Sequence, residues 1–256
     1  MERPFPLDLP ERPAKPRRMG LTHVLDKGMP AAHAADALCS CAAYVDVWKF
    51  GWGTAYVDPD LAAKVALVGD HEILSCLGGT LLEVAWAQRR ADDLLGWAAD
   101  VGFACIEVSR GATDMSPAEK HALIDRAARR FTVVSEVGRK HAADQAPAPE
   151  WAGEAADDLS AGATWVLAEG RESGTVGIYT STGDVRDDVV DAVVEAAGLE
   201  HMVFEAPGKD QQAWFVRRFG ANVNLANIAV GDVLGLETLR LGLRADTIDL
   251  SCPVRT

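Results

Sequence analysis

Short apolar runs rich in β-branched and aromatic residues recur along the chain at Leu21–Leu25, Tyr44–Phe50, Ile73–Leu77, Phe103–Val108, Phe131–Val137, Thr164–Ala168, His201–Phe204 and Asn222–Leu225. Each reads as a buried strand. Between them lie stretches with apolar positions three and four apart: Ala31–Ala43, Pro59–Val68, Leu81–Val101, Pro117–Arg130, Trp151–Ala161, Asp187–Ala197, Asp210–Phe219 and Gly231–Leu243. These predict helices, and Leu81–Val101 is long enough for two. Ser116-Pro117-Ala118-Glu119 marks one start sharply, with a capping Ser, a Pro at the first helical position and a Glu that can return a hydrogen bond.

Strands alternating with helices over residues 20–256 predict an α/β fold, a single (β/α)8 TIM-type barrel. A doubly wound sheet is disfavoured, since neither G-x-G-x-x-G nor G-x-x-x-x-G-K-[ST] occurs. Residues 1–19 hold several prolines, Arg17 and Arg18, and no apolar period, so they are expected to form an extended N-terminal arm.

The 256 residues are 48 % hydrophobic and 25 % charged, a globular composition with enough apolar material for one core. A net charge of −13 argues against nucleic acid or an anionic membrane as partner. No apolar run is long enough to span a bilayer, and the opening stretch lacks the apolar centre of a signal peptide, so a cytoplasmic protein is expected. Five cysteines without a C-x-x-C pair indicate neither a disulfide framework nor a zinc site. Cys105 is expected to face the helices.

In a β/α barrel the residues at the C-terminal ends of the strands share one mouth. The ends here carry Asp26 and Lys27, then Lys49, then Gly78-Gly79-Thr80 with Glu83, then Glu107, Glu136 with Arg139 and Lys140, Glu169 with Arg171, Glu205 with Lys209, and Asn224 with Asn227. A carboxylate within an apolar run such as Val133-Val134-Ser135-Glu136-Val137 is costly to bury unless it is paired or binds a cation. Four such carboxylates, with lysines and arginines among them, predict a local basic field that binds a small polyanion together with Mg²⁺. His23 is expected to be a packed barrel residue.

The stretches Gly20-Leu21-Thr22-His23-Val24-Leu25-Asp26-Lys27-Gly28, Lys49-Phe50-Gly51-Trp52-Gly53-Thr54, Gly78-Gly79-Thr80-Leu81-Leu82-Glu83, Ser135-Glu136-Val137-Gly138-Arg139-Lys140, Glu169-Gly170-Arg171 and Phe204-Glu205-Ala206-Pro207, with Asn222–Ile228 and Glu237–Arg240 after them, occur in this order over nearly the whole chain. Together they resemble the phosphosulfolactate synthase family, whose enzyme begins one route to coenzyme M. The resemblance implies a lyase that uses Mg²⁺ to add sulfite to phosphoenolpyruvate, giving (2R)-2-O-phospho-3-sulfolactate through an aci-carboxylate intermediate. It suggests Lys140 as the acid that protonates this intermediate, with Lys27, Lys49 and Arg171 as further catalytic cations. Gly78, Gly79, Thr80, Arg110, Arg139, Lys209 and Asn227 are the expected substrate contacts, and Glu83, Glu107, Glu136 and Glu169 the expected metal ligands. A homo-oligomer is compatible with the family.

The sequence also departs from the family pattern. Arg110-Gly111-Ala112 stands where an acidic residue, Gly and Ser are usual, Cys76-Leu77 where Tyr-Pro is usual, Gly208 where Gln is usual, and Arg139 where Lys is usual. The change at Arg110 reverses charge, so either Arg110 offers a new anion contact for the same reaction, or the chain acts on another nucleophile or phospho- or sulfo-acid. A non-catalytic, stress-associated barrel is the third alternative. It fits poorly with the retention of Lys140, Glu136 and Arg171, because a scaffold has no use for uncompensated buried charge.

Overall fold

The computed structural model describes residues 5–138, 146–171 and 173–252. Eight parallel strands close into a barrel in sequence order, β1 pairing with both β2 and β8. They are β1 (Thr22–Asp26), β2 (Val47–Phe50), β3 (Leu74–Leu77), β4 (Cys105–Val108), β5 (Thr132–Val137), β6 (Trp165–Ala168), β7 (Met202–Glu205) and β8 (Leu225–Ala229). The surrounding helices are α1 (Ala31–Cys41), α2 (Leu61–Asp70), α3 (Gly79–Ala87), α4 (Ala91–Val101), α5 (Pro117–Ala128), α6 (Ala148–Ser160), α7 (Asp187–Ala197), α8 (Lys209–Phe219) and α9 (Val233–Arg240). The expected TIM-type barrel is therefore what forms. The long helical stretch does divide in two, turning at Arg89, which takes a left-handed φ of 61°. The start of α5 carries the full capping box, the Ser116 hydroxyl receiving the Glu119 amide while the Glu119 carboxylate receives the Ser116 amide.

Two apolar layers hold the barrel. Val24, Phe50, Ile106, Val133, Val166 and Phe204 point outward into the helix ring. Val47, Cys76, Cys105, Val134, Leu167, Val203 and Ala226 fill the interior. Side chains alternate along a strand, so the residue two positions beyond each interior one also points inward, a layer nearer the mouth. Val47 is thus followed by Lys49, Cys76 by Gly78, Cys105 by Glu107, Val134 by Glu136, Leu167 by Glu169 and Val203 by Glu205. Strand period alone converts an apolar plug into a charged floor. The same parity corrects the placement of Cys105, which shares its face with Glu107 and lies inside the barrel.

Residues 5–20 contain no helix or strand and are fastened to the body by cations. Arg12 pairs with Glu237 at 3.1 Å and reaches Asn222, Lys15 donates to the carbonyls of Ala42 and His71, and Arg17 pairs with Asp46 at 2.9 Å. Beneath them Arg240 is fully buried and donates to the carbonyls of Leu21, Ala221 and Val223, with burial lowering its pKa to about 9. Among the described residues no helix is long and apolar enough to cross a membrane.

Candidate active site

A cavity of about 120 Å³ opens at the C-terminal ends of the strands, room for a metabolite of a few carbons. Its wall includes Lys49, Gly78, Gly79, Thr80, Glu107, Glu136, Glu169, Arg171, Glu205 and Asn227, with Leu25, Gly51 and Trp52. Most of the expected site residues therefore meet in one place. Lys49 is the hub of its floor, 2.9 Å from Glu107 Oε2 and 3.6 Å from Glu205 Oε1, with all three side chains buried. Burial by itself would lower the Lys49 pKa, but Glu107, Glu205 and Glu136 more than offset it and hold the ammonium above its ordinary value. Burial would likewise raise the Glu107 carboxyl, and Lys49 with the Gly79 amide brings it below the usual carboxylate range instead.

Backbone amides hold the other carboxylates. Glu205 Oε2 receives the Gly170 amide at 2.9 Å, and Glu169 Oε1 receives the Arg171 amide at 2.8 Å. Gly177, at φ 71°, lies flat against the Glu169 carbonyl, where any Cβ would collide with it. Trp52, Arg171 and Asn227 take left-handed backbone at φ of 55–56°, an uncommon conformation for such residues that gathers at this mouth. Asn227 lines the cavity, and its Oδ1 is buried with no hydrogen-bond partner among the described residues.

Other expectations need correction. Arg110 is not in the cavity wall. Its guanidinium is held in a fork by Glu154 of α6, at 2.9 and 3.0 Å, so neither a new anion contact nor a reversed mouth charge follows from it. Lys209, at the first position of α8, turns outward to Asp210 and Asp246 at 2.7 and 2.8 Å. Lys27 is exposed and stacks over the Trp52 ring at 4.6 Å, at the rim and not among the lining side chains. Glu83 is buried and is not among the described lining residues. It accepts from Ser109 Oγ at 2.5 Å and the Ala112 amide at 2.7 Å, fixing the loop after β4. Arg139 and Lys140 lie outside the described residues.

The expected basic field is consequently absent from the described wall, where two cations, Lys49 and Arg171, face four carboxylates. The four expected metal ligands do not converge either. Among the described residues no three His, Cys, Asp or Glu side chains are placed to hold a metal ion. Of that set, Glu107, Glu136 and Glu169 line the cavity and Glu83 does not, with Glu107 held by Lys49 and the Gly79 amide and Glu169 by the Arg171 amide. Carboxylates are the donor type that suits Mg²⁺, which takes one or two of them and fills its other positions with water and substrate oxygens.

The sequence places Glu205 at the mouth without assigning it as a ligand or substrate contact, and it gives no role to two buried lysines, Lys64 and Lys120. Lys64 pairs with Asp26 at 2.6 Å and Asp58 at 2.9 Å, while Asp26 also receives the amides of Gly28 and Met29, which locks the loop after β1 onto α2. The signal was a lysine inside an apolar stripe, since Lys64 shares the buried face of α2 with Leu61, Val65 and Val68.

The model of the (2R)-phospho-3-sulfolactate synthase family matches residues 10–246. The phosphosulfolactate synthase of Bacillus subtilis (strain 168) is 41 % identical over 249 residues, 96 % of this chain and 99 % of that protein. That of Methanocaldococcus jannaschii is 41 % identical over 234 residues, 89 % and 93 % of the two chains. The chain belongs to the phosphosulfolactate synthase family. Among solved structures, a 3-hexulose-6-phosphate synthase superposes with a TM-score of 0.54 at 17 % identity, covering 91 % of this chain and 96 % of that one. A thiamine phosphate pyrophosphorylase from Pyrococcus furiosus gives 0.55 at 14 % identity, covering 87 % and 94 %. At those identities the likeness speaks for the barrel fold alone. For a phosphosulfolactate synthase family member, the pairing of Arg110 with Glu154 means that the departure at this position is absorbed between a loop and a helix. Arg110→Ala is expected to lower stability by about 1–2 kcal/mol and leave turnover within about threefold of the parent, measured by thermal melts and steady-state rates. A tenfold loss of turnover would return Arg110 to the site.

His23 lies inside the barrel below this family site, fully buried, and neither ring nitrogen has a hydrogen-bond partner among the described residues. Burial, helped by the charge of Lys49 and opposed by Glu107, lowers its pKa to about 3. An unfolded chain protonates its histidine near the ordinary value of about 6.5. The unfolded state therefore binds more protons between that value and about 3, and stability falls as pH drops through this window, by at most about 1.4 kcal/mol per pH unit. Denaturant titrations of the parent and His23→Gln should show the variant losing less stability across this range; parallel curves would contradict the placement.

Proposed function

We propose that this family member joins sulfite to phosphoenolpyruvate, as a carbon-sulfur lyase running in the synthetic direction. The observation that carries the reading is a small mouth cavity in which a buried, charged lysine stands among carboxylates, within a chain of this family. The sulfur lone pair of sulfite forms a bond to the methylene carbon, and the π electrons of the double bond move through the second carbon into the carboxylate. The resulting aci-carboxylate carries additional negative charge on the carboxylate oxygens. Preorganised cations are the means of stabilising it, and Lys49 and Arg171 are the two in the described wall. Protonation of the second carbon from one face then gives the (2R) product, and Lys140 is our candidate for that acid.

A substrate with phosphate and carboxylate groups would meet two cations and four carboxylates among the described residues of the wall, to which Lys140 adds a third cation in this proposal. A divalent ion among the wall carboxylates, Glu136 and Glu169 included, is the proposed source of further positive charge for such a polyanion. Mg²⁺ when bound would supply charge neutralisation at the carboxylate and phosphate oxygens. The chain's own part is to hold Lys49 charged and to keep Glu169 and Glu205 in place through the Arg171 and Gly170 amides.

The test mixes the protein with phosphoenolpyruvate, sulfite and Mg²⁺. Consumption of phosphoenolpyruvate should require sulfite, stop with excess EDTA and return with added Mg²⁺. Consumption that ignores sulfite would assign another nucleophile, and tight binding without turnover would favour a binding protein.

A further inference from the structure

We propose that Lys120 is a positioning residue for Glu136, fixing from behind the sheet the main chain of the strand end whose carboxylate enters the cavity. Its catalytic consequence rests on the proposed reaction. Lys120 lies in α5 on the face that buries Leu123, Ile124 and Ala127, a stripe where an apolar side chain is the ordinary choice, and it is itself fully buried. An ammonium has three donors, and all three are committed. One goes to the Glu136 carbonyl at 2.7 Å, one to Glu154 Oε1 at 2.9 Å and one to Asp158 Oδ2 at 2.6 Å.

The carbonyl is the informative acceptor. Pairing of β4 with β5 ends at Val108 opposite Ser135, so Glu136 stands one residue past the last β4 partner. Lys120 takes the carbonyl at that point. The residue before it is tied to the same place, because the Ser135 hydroxyl also donates to Asp158 Oδ2. His121 Nε2 lies 3.4 Å from the other Asp158 oxygen, and Arg110 grips Glu154 from outside. A lysine that only neutralised two helix carboxylates would have no need of a strand carbonyl. Here α5, α6 and the mouth end of β5 meet on one nitrogen, and the direction in which Glu136 leaves the sheet is set by that tripod.

Lys120→Met is the test, read by hydrogen exchange and by kinetics. The β5 amides from Ser135 to Val137 should exchange faster while those of β1–β3 keep the parent rates. In the same variant kcat should fall about tenfold or more with KM for phosphoenolpyruvate within about threefold, as expected when a reacting geometry loosens. If burying the Asp158 carboxylate without its ammonium prevents folding, Lys120→Met combined with Asp158→Asn removes that charge, leaves Glu154 paired with Arg110, yet still deprives the Glu136 carbonyl of its donor, and the same losses are expected. A folded variant with parental kcat and parental β5 exchange overturns the proposal, and so does failure of both variants to fold, which would make Lys120 a folding residue only. Should the parent itself not consume phosphoenolpyruvate with sulfite, the functional reading fails separately, and the exchange measurement alone decides whether Lys120 holds β5.

Discussion

Lys49→Met is expected to reduce kcat/KM for phosphoenolpyruvate by about 10³-fold or more and to destabilise the protein by about 3–5 kcal/mol. Both effects come from one geometry. Lys49 Nζ stands between Glu107 and Glu205 inside the barrel, so its loss leaves two buried carboxylates facing one another without their shared cation. The reaction loses a fixed positive charge in the described wall, and the fold loses a buried ion pair at the same stroke. The two consequences can be separated. Lys49→Met with Glu107→Gln removes one of the stranded charges and should recover much of the melting temperature, but not the turnover. Recovery of both would show that Lys49 acts on the fold alone.

Lys140→Ala is expected to remove turnover by about 10²–10⁴-fold, the range for a positioned general acid, with the melting temperature unchanged and phosphoenolpyruvate still binding. The residue follows the strand end that brings Glu136 to the mouth, and the described wall supplies no other lysine than Lys49, which is already committed to two carboxylates. Phosphoenolpyruvate binding by calorimetry beside a steady-state rate distinguishes the roles. Lost binding with an unchanged maximal rate would make Lys140 a substrate anchor instead.

Much of this was legible in the sequence because a parallel barrel obeys two periods. Buried strands read as short apolar runs, helices as spaced apolar positions, and the strand period places Glu107, Glu136 and Glu169 on the interior side one layer above the apolar plug. The sequence does not reveal where a charge finds its partner. Arg110 and Glu154 are 44 positions apart, and only the packing of α6 against the loop after β4 joins them. Lys209 and Asp246 meet in the same manner. Glu83 looked like a mouth carboxylate because it follows a double glycine, yet the Ser109 hydroxyl and the Ala112 amide satisfy it. Cys105 obeys the same strand period as Glu107 and so belongs inside the barrel.

Phosphorus NMR of the protein with phosphoenolpyruvate, sulfite and Mg²⁺ tests the central claim most directly, because it follows the phosphate group, which the proposed chemistry leaves in place. The account predicts that the enol phosphate signal gives way to that of an alkyl phosphate ester, in step with sulfite consumed and with no inorganic phosphate. Release of inorganic phosphate, or an ester that forms without sulfite, would contradict it.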